Sequence, residues 1–143
     1  MTSSETENAT SAELRTVAFR LARRLRKESA DHELSPSQTA VLGYLMRHDT
    51  ATPAELSAFE QVAPPSMNRT LNALQDAGYL ARTPGVDDRR TVTVTLTETG
   101  RAVVAETRRR RDAWLDRRLE TLSPRERDVL AEATAIIRKL TDE

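Results

Sequence analysis

The chain has 143 residues, of which 38% are hydrophobic and 31% are charged, and its 22 basic residues balance its 22 acidic residues. This length fits one folded domain with a substantial core. Because cysteine is absent, the sequence excludes disulfides, thiolate nucleophiles and thiol-based redox sensing. A net charge of zero gives no general support for nucleic-acid binding, so any such surface must come from a local asymmetry of charge.

The start of the chain shows no sign of targeting. No apolar run reaches the length of about 20 residues that spans a bilayer, and residues 1–11 lack the apolar centre of a signal peptide. We therefore expect a cytoplasmic protein without a membrane partner. Residues 1–11 are small and polar, which predicts a disordered tail. From Ser11 on, Leu14, Val17 and Leu21 recur at helical spacing and predict a first helix.

Three later helices begin with the same signal, a hydroxyl residue followed by proline and, three positions after the cap, by Glu or Gln. This capping box occurs at 35–38, 52–55 and 123–126 and predicts helices over 36–48, 53–60 and 124–141. A further helix begins at Pro64-Pro65 and buries Met67, Leu71 and Leu74. It ends at Gly78, as expected of a C-cap glycine.

After Gly78 the hydrophobic period changes from that of a helix to that of a strand. Residues 79–82 and 91–96 predict two short strands, and the Pro-Gly and Asp-Asp pairs between them predict a charged loop. A long helix over 98–119 follows. The predicted order is four helices, two strands and two helices. This order indicates a mainly α fold with a small β-hairpin wing, a winged helix-turn-helix.

In a winged helix-turn-helix, the second helix of the pair enters the major groove of DNA, and its first residues reach the base edges. Because Met67, Leu71 and Leu74 face inward, the residues between them face outward. The candidate DNA-binding residues are Pro65, Ser66, Asn68, Arg69 and Thr70. Asn68 suits adenine, and Arg69 suits guanine or a phosphate. The alternative interpretation is an ordinary solvated helix face.

The tip of the hairpin carries two further candidates for DNA binding, Arg89 and Arg90. An arginine placed in a narrow minor groove meets an enhanced negative potential. The adjacent Asp87 and Asp88 carry the charge that phosphate repels. We expect Asp88 to pair with Arg90 and to hold the tip in shape. The alternative is a plain turn whose charges neutralise each other.

The segment 88–100 resembles the wing signature of the MarR family of bacterial regulators, an Asp-x-Arg followed by an apolar strand and Leu-Thr-x-x-Gly. Asp88 and Arg90 occupy the paired positions, and Leu96, Thr97 and Gly100 complete the motif. The run 65–80 is similar to the family's recognition helix and first wing strand.

The resemblance implies a sequence-specific regulator, which we expect to be a repressor that binds a palindromic operator as a homodimer and joins the nucleoid when bound. Within a single domain over 12–143, it assigns 12–34 and 101–143 to dimerisation and 35–100 to the winged helix-turn-helix. Apolar stripes near both ends support the dimer, although they could instead pack within one chain. Residues 63–65, Ala-Pro-Pro, depart from the family, because many members start this helix with Ser or Thr.

The resemblance also implies a small aromatic or phenolic effector that binds between the dimerisation helices and the winged domain and releases the DNA. The candidate pocket residues are Phe19, Arg20, Tyr44, His48 and Trp114. The alternative is that the aromatic side chains among them belong to the core.

We expect no metal, cofactor or catalytic site. Two histidines far apart in sequence do not make a metal site, and the chain has no glycine-rich phosphate loop and no nucleophile elbow. An enzyme is therefore not expected. The alternative to DNA binding is a helical dimer whose winged domain binds other proteins, and the zero net charge is its main support.

Overall fold

The computed structural model describes residues 2–31, 33–85, 87–88 and 90–142. The elements in chain order are α1 (Ser3–Arg26), α2 (Pro36–His48), β1 (Thr50–Ala51), α3 (Pro53–Glu60), α4 (Pro64–Asp76), β2 (Leu80–Pro84), β3 (Val92–Leu96), α5 (Glu98–Leu119) and α6 (Pro124–Thr141). The strands form one antiparallel sheet in the order β1-β3-β2. A mainly helical fold with a small sheet confirms the predicted class.

The predicted capping signals start the helices where the sequence placed them. Ser35 and Ser123 each accept a bond from the N–H three positions later, at 3.2 and 3.1 Å. The side chains of Gln38 and Glu126 accept from the N–H of the capping serine in return, at 2.8 and 3.0 Å. At α3, the Thr52 hydroxyl accepts from the N–H three positions later at 3.1 Å, so only this half of the capping box predicted at 52–55 is formed among the described residues. These bonds satisfy donors that the first helical turn leaves without a partner.

The start of α1 corrects the expectation of a disordered tail over residues 1–11. The helix begins at Ser3, because a capping box is also present at this end of the chain. The Glu5 N–H donates to the Thr2 hydroxyl at 3.3 Å, and the Thr2 N–H donates to the Glu5 carboxylate at 2.9 Å. The same Thr-x-x-Glu signal that was recognised further along the chain therefore operates here.

Strand β1 is missing from the predicted order of elements. It has only two residues, and it pairs Thr50 with Thr95 and Ala51 with Val94. Two residues are too few to show the alternation of apolar and polar side chains that predicts a strand. The strand forms because it pairs with the edge of β3. Ala51 is buried at 4% exposure, and β1 thereby joins the end of α2 to the sheet.

The chain divides into two compact units, a central unit over residues 27–109 and a terminal unit of residues 1–26 and 110–143. The sequence placed the corresponding boundaries at 34/35 and 100/101. The core of the central unit draws on every helix and strand within it: Val41, Leu42, Leu45, Ala51, Leu56, Met67, Leu71, Leu74, Leu80, Val94, Leu96 and Val104. The inward orientation predicted for Met67, Leu71 and Leu74 is confirmed.

The terminal unit contrasts with this core, because neither α1 nor α6 contains a buried residue among those described. Large apolar side chains on both helices remain exposed: Leu14, Val17, Phe19, Leu21, Val129, Leu130, Ile136, Ile137 and Leu140. A single chain therefore leaves many large apolar side chains of these two helices in contact with water.

Candidate nucleic-acid interface

A sharp turn connects α3 to α4. Gln61 takes the left-handed conformation at φ 55° and ψ 44°, which ends α3. The Val62 N–H then donates to the Ser57 carbonyl at 3.1 Å, and α4 begins at Pro64. The two helices therefore form a helix-turn-helix with α4 as its second member.

The outward face of α4 is polar. Met67, Leu71 and Leu74 fix the orientation of the helix, because they are at most 1% exposed. Of the predicted DNA-binding residues, Pro65, Asn68 and Arg69 are exposed, and Ser66 and Thr70 are half-buried. All five side chains are therefore on or beside the solvent face, and their contact with DNA stays a prediction.

Two hydrogen bonds order the first turns of this face. An Nη2–H of Arg69 donates to the Ser66 hydroxyl at 3.4 Å, and the Thr70 hydroxyl donates to the Ser66 carbonyl at 3.2 Å. The Arg69 bond is long and leaves most of the guanidinium donors to other acceptors. The Thr70 hydroxyl is thus bonded to its own helix and keeps its acceptor capacity for a partner.

The start of α4 has no side-chain cap. Its N-cap residue is Ala63, and prolines occupy the first two helical positions. Proline has no N–H and its φ suits a helix, so the two rings remove donors that a capping hydroxyl would otherwise satisfy. This explains how the helix starts without a capping Ser or Thr.

Arg82 of β2 is a residue of this surface that the sequence interpretation missed. Its Nε–H donates to the Gln75 carbonyl oxygen at 2.7 Å, and an Nη2–H donates to the Asn72 carbonyl oxygen at 2.5 Å. Helical periodicity predicts that Asn72 faces outward, but it does not reveal the partner on the neighbouring strand.

Strands β2 and β3 form the wing, and Asp88 organises the described part of its tip. The Asp88 carboxylate accepts from the Arg90 backbone N–H at 3.0 Å and from its Nε–H at 3.4 Å. The Asp88 carbonyl accepts from the Thr91 N–H at 3.0 Å. The predicted pairing of Asp88 with Arg90 is confirmed, and the Arg90 side chain is 94% exposed. Arg89 lies outside the described residues.

The Leu-Thr-x-x-Gly motif fastens the base of the wing to α5. The Thr97 hydroxyl donates to the Gly78 carbonyl at 2.6 Å and accepts from the Gly100 N–H at 3.0 Å. The Tyr79 carbonyl accepts from the Thr97 N–H at 3.1 Å. A Cβ on Gly100 would lie 2.0 Å from that carbonyl oxygen. The motif is therefore a structural joint between the wing and α5.

Tyr79 links this joint to the segment before α2. Its hydroxyl donates to the Asp31 carboxylate at 2.6 Å. This hydrogen bond, together with burial and the negative charge of Asp31, raises the pKa of the Tyr79 hydroxyl above its usual value of 10.0. On the same segment, the Ala30 N–H donates to the Thr107 hydroxyl of α5 at 3.0 Å.

The predicted effector residues belong to both units. In the central unit, the Tyr44 ring lies 4.2 Å from the His48 ring and 4.7 Å from the Phe59 ring, between centroids. Phe59 was not predicted. In the terminal unit, the Trp114 ring lies beneath two guanidinium groups, those of Arg24 at 4.7 Å and Arg118 at 5.2 Å. Phe19 and Arg20 are exposed on α1.

The described part of the chain lacks two other features. It contains no group of three or more His, Cys, Asp or Glu side chains placed to hold a metal ion. None of its helices is both long and apolar enough to cross a membrane.

The helix α4 is the second member of a helix-turn-helix and has a polar outer face. A charged hairpin follows it, and together they define a winged helix-turn-helix transcriptional regulator. The model of the MarR family matches residues 32–91. The chain is also 38% identical, over 132 residues and 92% of each protein, to the uncharacterised HTH-type transcriptional regulator Mb0904 of Mycobacterium bovis. The chain belongs to the MarR family of transcriptional regulators, a class distinct from enzymes.

Solved structures share the fold. A MarR family protein from Bacillus stearothermophilus is similar with a TM-score of 0.83 and 23% identity, over 100% of both chains. A mutant of MarR from E. coli, complexed with operator DNA, is similar with a TM-score of 0.70 and 22% identity. That similarity covers 98% of this chain and 99% of the other.

Proposed function

We propose that this chain represses transcription by binding a palindromic DNA operator as a homodimer. The helix α4 would enter the major groove and the wing the adjacent minor groove. The observation that carries the proposal is the outward polar face of α4 beside a wing whose tip arginine, Arg90, is 94% exposed. The fold shared with the MarR mutant that was solved with operator DNA supports it.

The side chains of α4 suit both base edges and phosphates. Asn68 and Arg69 are exposed in its second turn, where an amide can pair with adenine and a guanidinium with guanine. Pro65 and Ser66 are nearer the helix start, where backbone and hydroxyl groups meet phosphate. We assign base reading to Asn68 and Arg69 and positioning on the backbone to the residues before them.

The wing carries an exposed arginine, Arg90, that is paired with Asp88. An exposed ion pair such as Asp88–Arg90 contributes little to stability. The Asp88 carboxylate accepts from the Arg90 backbone N–H at 3.0 Å and from the guanidinium Nε–H at 3.4 Å, so the second bond favours one direction of the guanidinium. A restricted arginine loses less conformational entropy when it enters a minor groove. We propose that Arg89 assists it.

The apolar surface of α1 and α6 supports a dimer. Leu14, Val17 and Leu21 are 41%, 52% and 44% exposed on α1, and Ile136 and Ile137 are 58% and 43% exposed on α6. Burial of such side chains against a second copy stabilises association by about 25 cal/mol for each Å² of apolar surface. A two-fold axis would place two α4 helices about one DNA turn apart.

A salt titration of DNA binding tests the central claim. Fluorescence anisotropy with a duplex from upstream of the protein's own gene should show binding that weakens as salt rises. Arg90→Ala should weaken binding to all sequences and reduce the log–log salt slope by about 0.9 for each lost phosphate contact. Arg125→Ala on α6, which removes the same charge from another exposed position, is the matched control and should leave the slope unchanged.

Base reading has a different signature. Asn68→Ala and Arg69→Ala should each weaken binding to the operator by about 1–3 kcal/mol while affecting unrelated duplexes much less. The absence of binding to any duplex at low salt would contradict the proposed function. Capture of a protein partner through the winged domain would then favour the alternative.

The proposed effector is a small aromatic or phenolic molecule that releases DNA. Trp114 is the only tryptophan of the chain, so its fluorescence reports changes near α5 in the terminal unit. Titration with a hydroxybenzoate should change this fluorescence over the concentration range that releases the operator. Trp114→Phe removes the signal and serves as the control. DNA release without a fluorescence change would place the effector elsewhere.

A further inference from the structure

Arg82 holds two amide side chains on one flank of α4. The 2.7 Å bond to the Gln75 oxygen and the 2.5 Å bond to the Asn72 oxygen use two of its five N–H donors. Asn72 and Gln75 are exposed, whereas Arg82 is half-buried. All three belong to the central unit, so the wing strand β2 acts directly on the outward face of α4.

The guanidinium sets the orientation of both amides. A guanidinium has donors and no acceptor, so each amide must meet it with its carbonyl oxygen. The NH2 group of each side chain then lies on the side opposite to that bond. An amide without such a partner can present either end to a ligand, because rotation exchanges its donor and acceptor.

We infer that Arg82 is a positioning residue that makes Asn72 and Gln75 hydrogen-bond donors to DNA. This inference rests on the proposed function. The two side chains follow Asn68 by four and seven positions and therefore share its flank of α4. An amide that reads adenine accepts and donates together. Because Arg82 engages their oxygens, Asn72 and Gln75 instead suit acceptor atoms, such as phosphate oxygens, guanine O6 and N7, or thymine O4.

NMR of the protein without DNA tests the orientation of the two amides independently of DNA binding. In wild type, the side-chain NH2 signals of Asn72 and Gln75 should differ from those of a freely rotating amide. Arg82→Lys keeps the charge but removes the planar two-pronged donor, and it should move both signals to free-amide positions. The Asn68 signal is the internal control and should not move. Unchanged Asn72 and Gln75 signals would overturn the inference, whether or not the protein binds DNA.

DNA binding tests the consequence. Arg82→Lys should weaken operator binding about tenfold, the scale of one charge-assisted hydrogen bond, with an unchanged salt slope because the charge is kept. In an Asn72→Ala/Gln75→Ala background, the same change should alter affinity less than about twofold, since coupled residues are not additive. Equal losses on the operator and on an unrelated duplex identify phosphate as the acceptor, and a loss on the operator alone identifies base edges.

Two results would refute the positioning role while leaving the proposed function intact. One is a tenfold loss that persists in the double-alanine background, because Arg82 would then contact DNA itself. The other is operator binding by the double-alanine variant as tight as that of wild type. Failure of wild type to bind any duplex would instead refute the proposed function, and the NMR result would still decide the orientation of the amides.

Discussion

Replacement of Gly100 by alanine tests the joint at the base of the wing. A Cβ at this position would lie 2.0 Å from the Tyr79 carbonyl oxygen and 3.2 Å from Cδ2 of Leu96. The carbonyl cannot simply turn away, because it accepts the Thr97 N–H at 3.1 Å. The first turn of α5 must therefore retreat by about 1.4 Å to restore an ordinary contact.

The magnitude follows from three effects. The retreat should cost about 1–3 kcal/mol, as overpacking does. It should also weaken the two hydrogen bonds of the Thr97 hydroxyl, each contributing about 1 kcal/mol. Alanine returns about 1 kcal/mol through its helix propensity. We expect Gly100→Ala to lower the free energy of unfolding by about 2–4 kcal/mol, measured by urea denaturation followed by circular dichroism at one protein concentration.

Gly43→Ala is the matched control. Gly43 lies within α2, and a Cβ there would meet only the end of the Arg47 side chain, at 3.5 Å. The same substitution should therefore stabilise the protein by about 0.5–1 kcal/mol. The reasoning is refuted if Gly100→Ala is as stable as wild type, or if the two variants shift the denaturation midpoint in the same direction.

Three further predictions concern stability and assembly. Tyr79→Phe should lower the free energy of unfolding by about 1 kcal/mol, because it removes the hydrogen bond to Asp31. Since the pKa of Tyr79 is raised in the folded state, this difference should be present below pH 10.0 and vanish as pH rises through the folded-state pKa. A series of denaturation curves at different pH values measures it. Ser35→Ala should cost about 1 kcal/mol in urea denaturation by removing the cap of α2, and a variant as stable as wild type would contradict the capping role. Ile137→Asp should convert the proposed dimer to a monomer in analytical ultracentrifugation while circular dichroism is preserved, and a persistent dimer would exclude this part of α6 from the interface.

Features set by residues close in sequence were predicted from the sequence. Asp88 and Arg90 are two positions apart, and the capping boxes join residues three positions apart, so the local backbone fixes both partners. The orientation of α4 followed from helical period alone. The capping box at Thr2 was overlooked because the polar composition of residues 1–11 suggested disorder.

Features set by distant partners could not be predicted. Tyr79 bonds Asp31 across 48 positions, and β1 becomes a strand only through β3. Arg82 illustrates the limit within the candidate interface. Its partners on α4 are seven and ten positions earlier. A sequence period shows which way a side chain faces, but it does not show which neighbour the tertiary fold brings to it.

The prolines that open α4 have a thermodynamic consequence for recognition. A proline ring fixes φ near about −65°, so the first turn of the helix has few backbone states to lose when a partner immobilises it. Isothermal titration calorimetry of the proposed operator complex should therefore show a larger entropic penalty for Pro64→Ala than for wild type. The first turn of α4 is therefore already restricted in the protein without DNA.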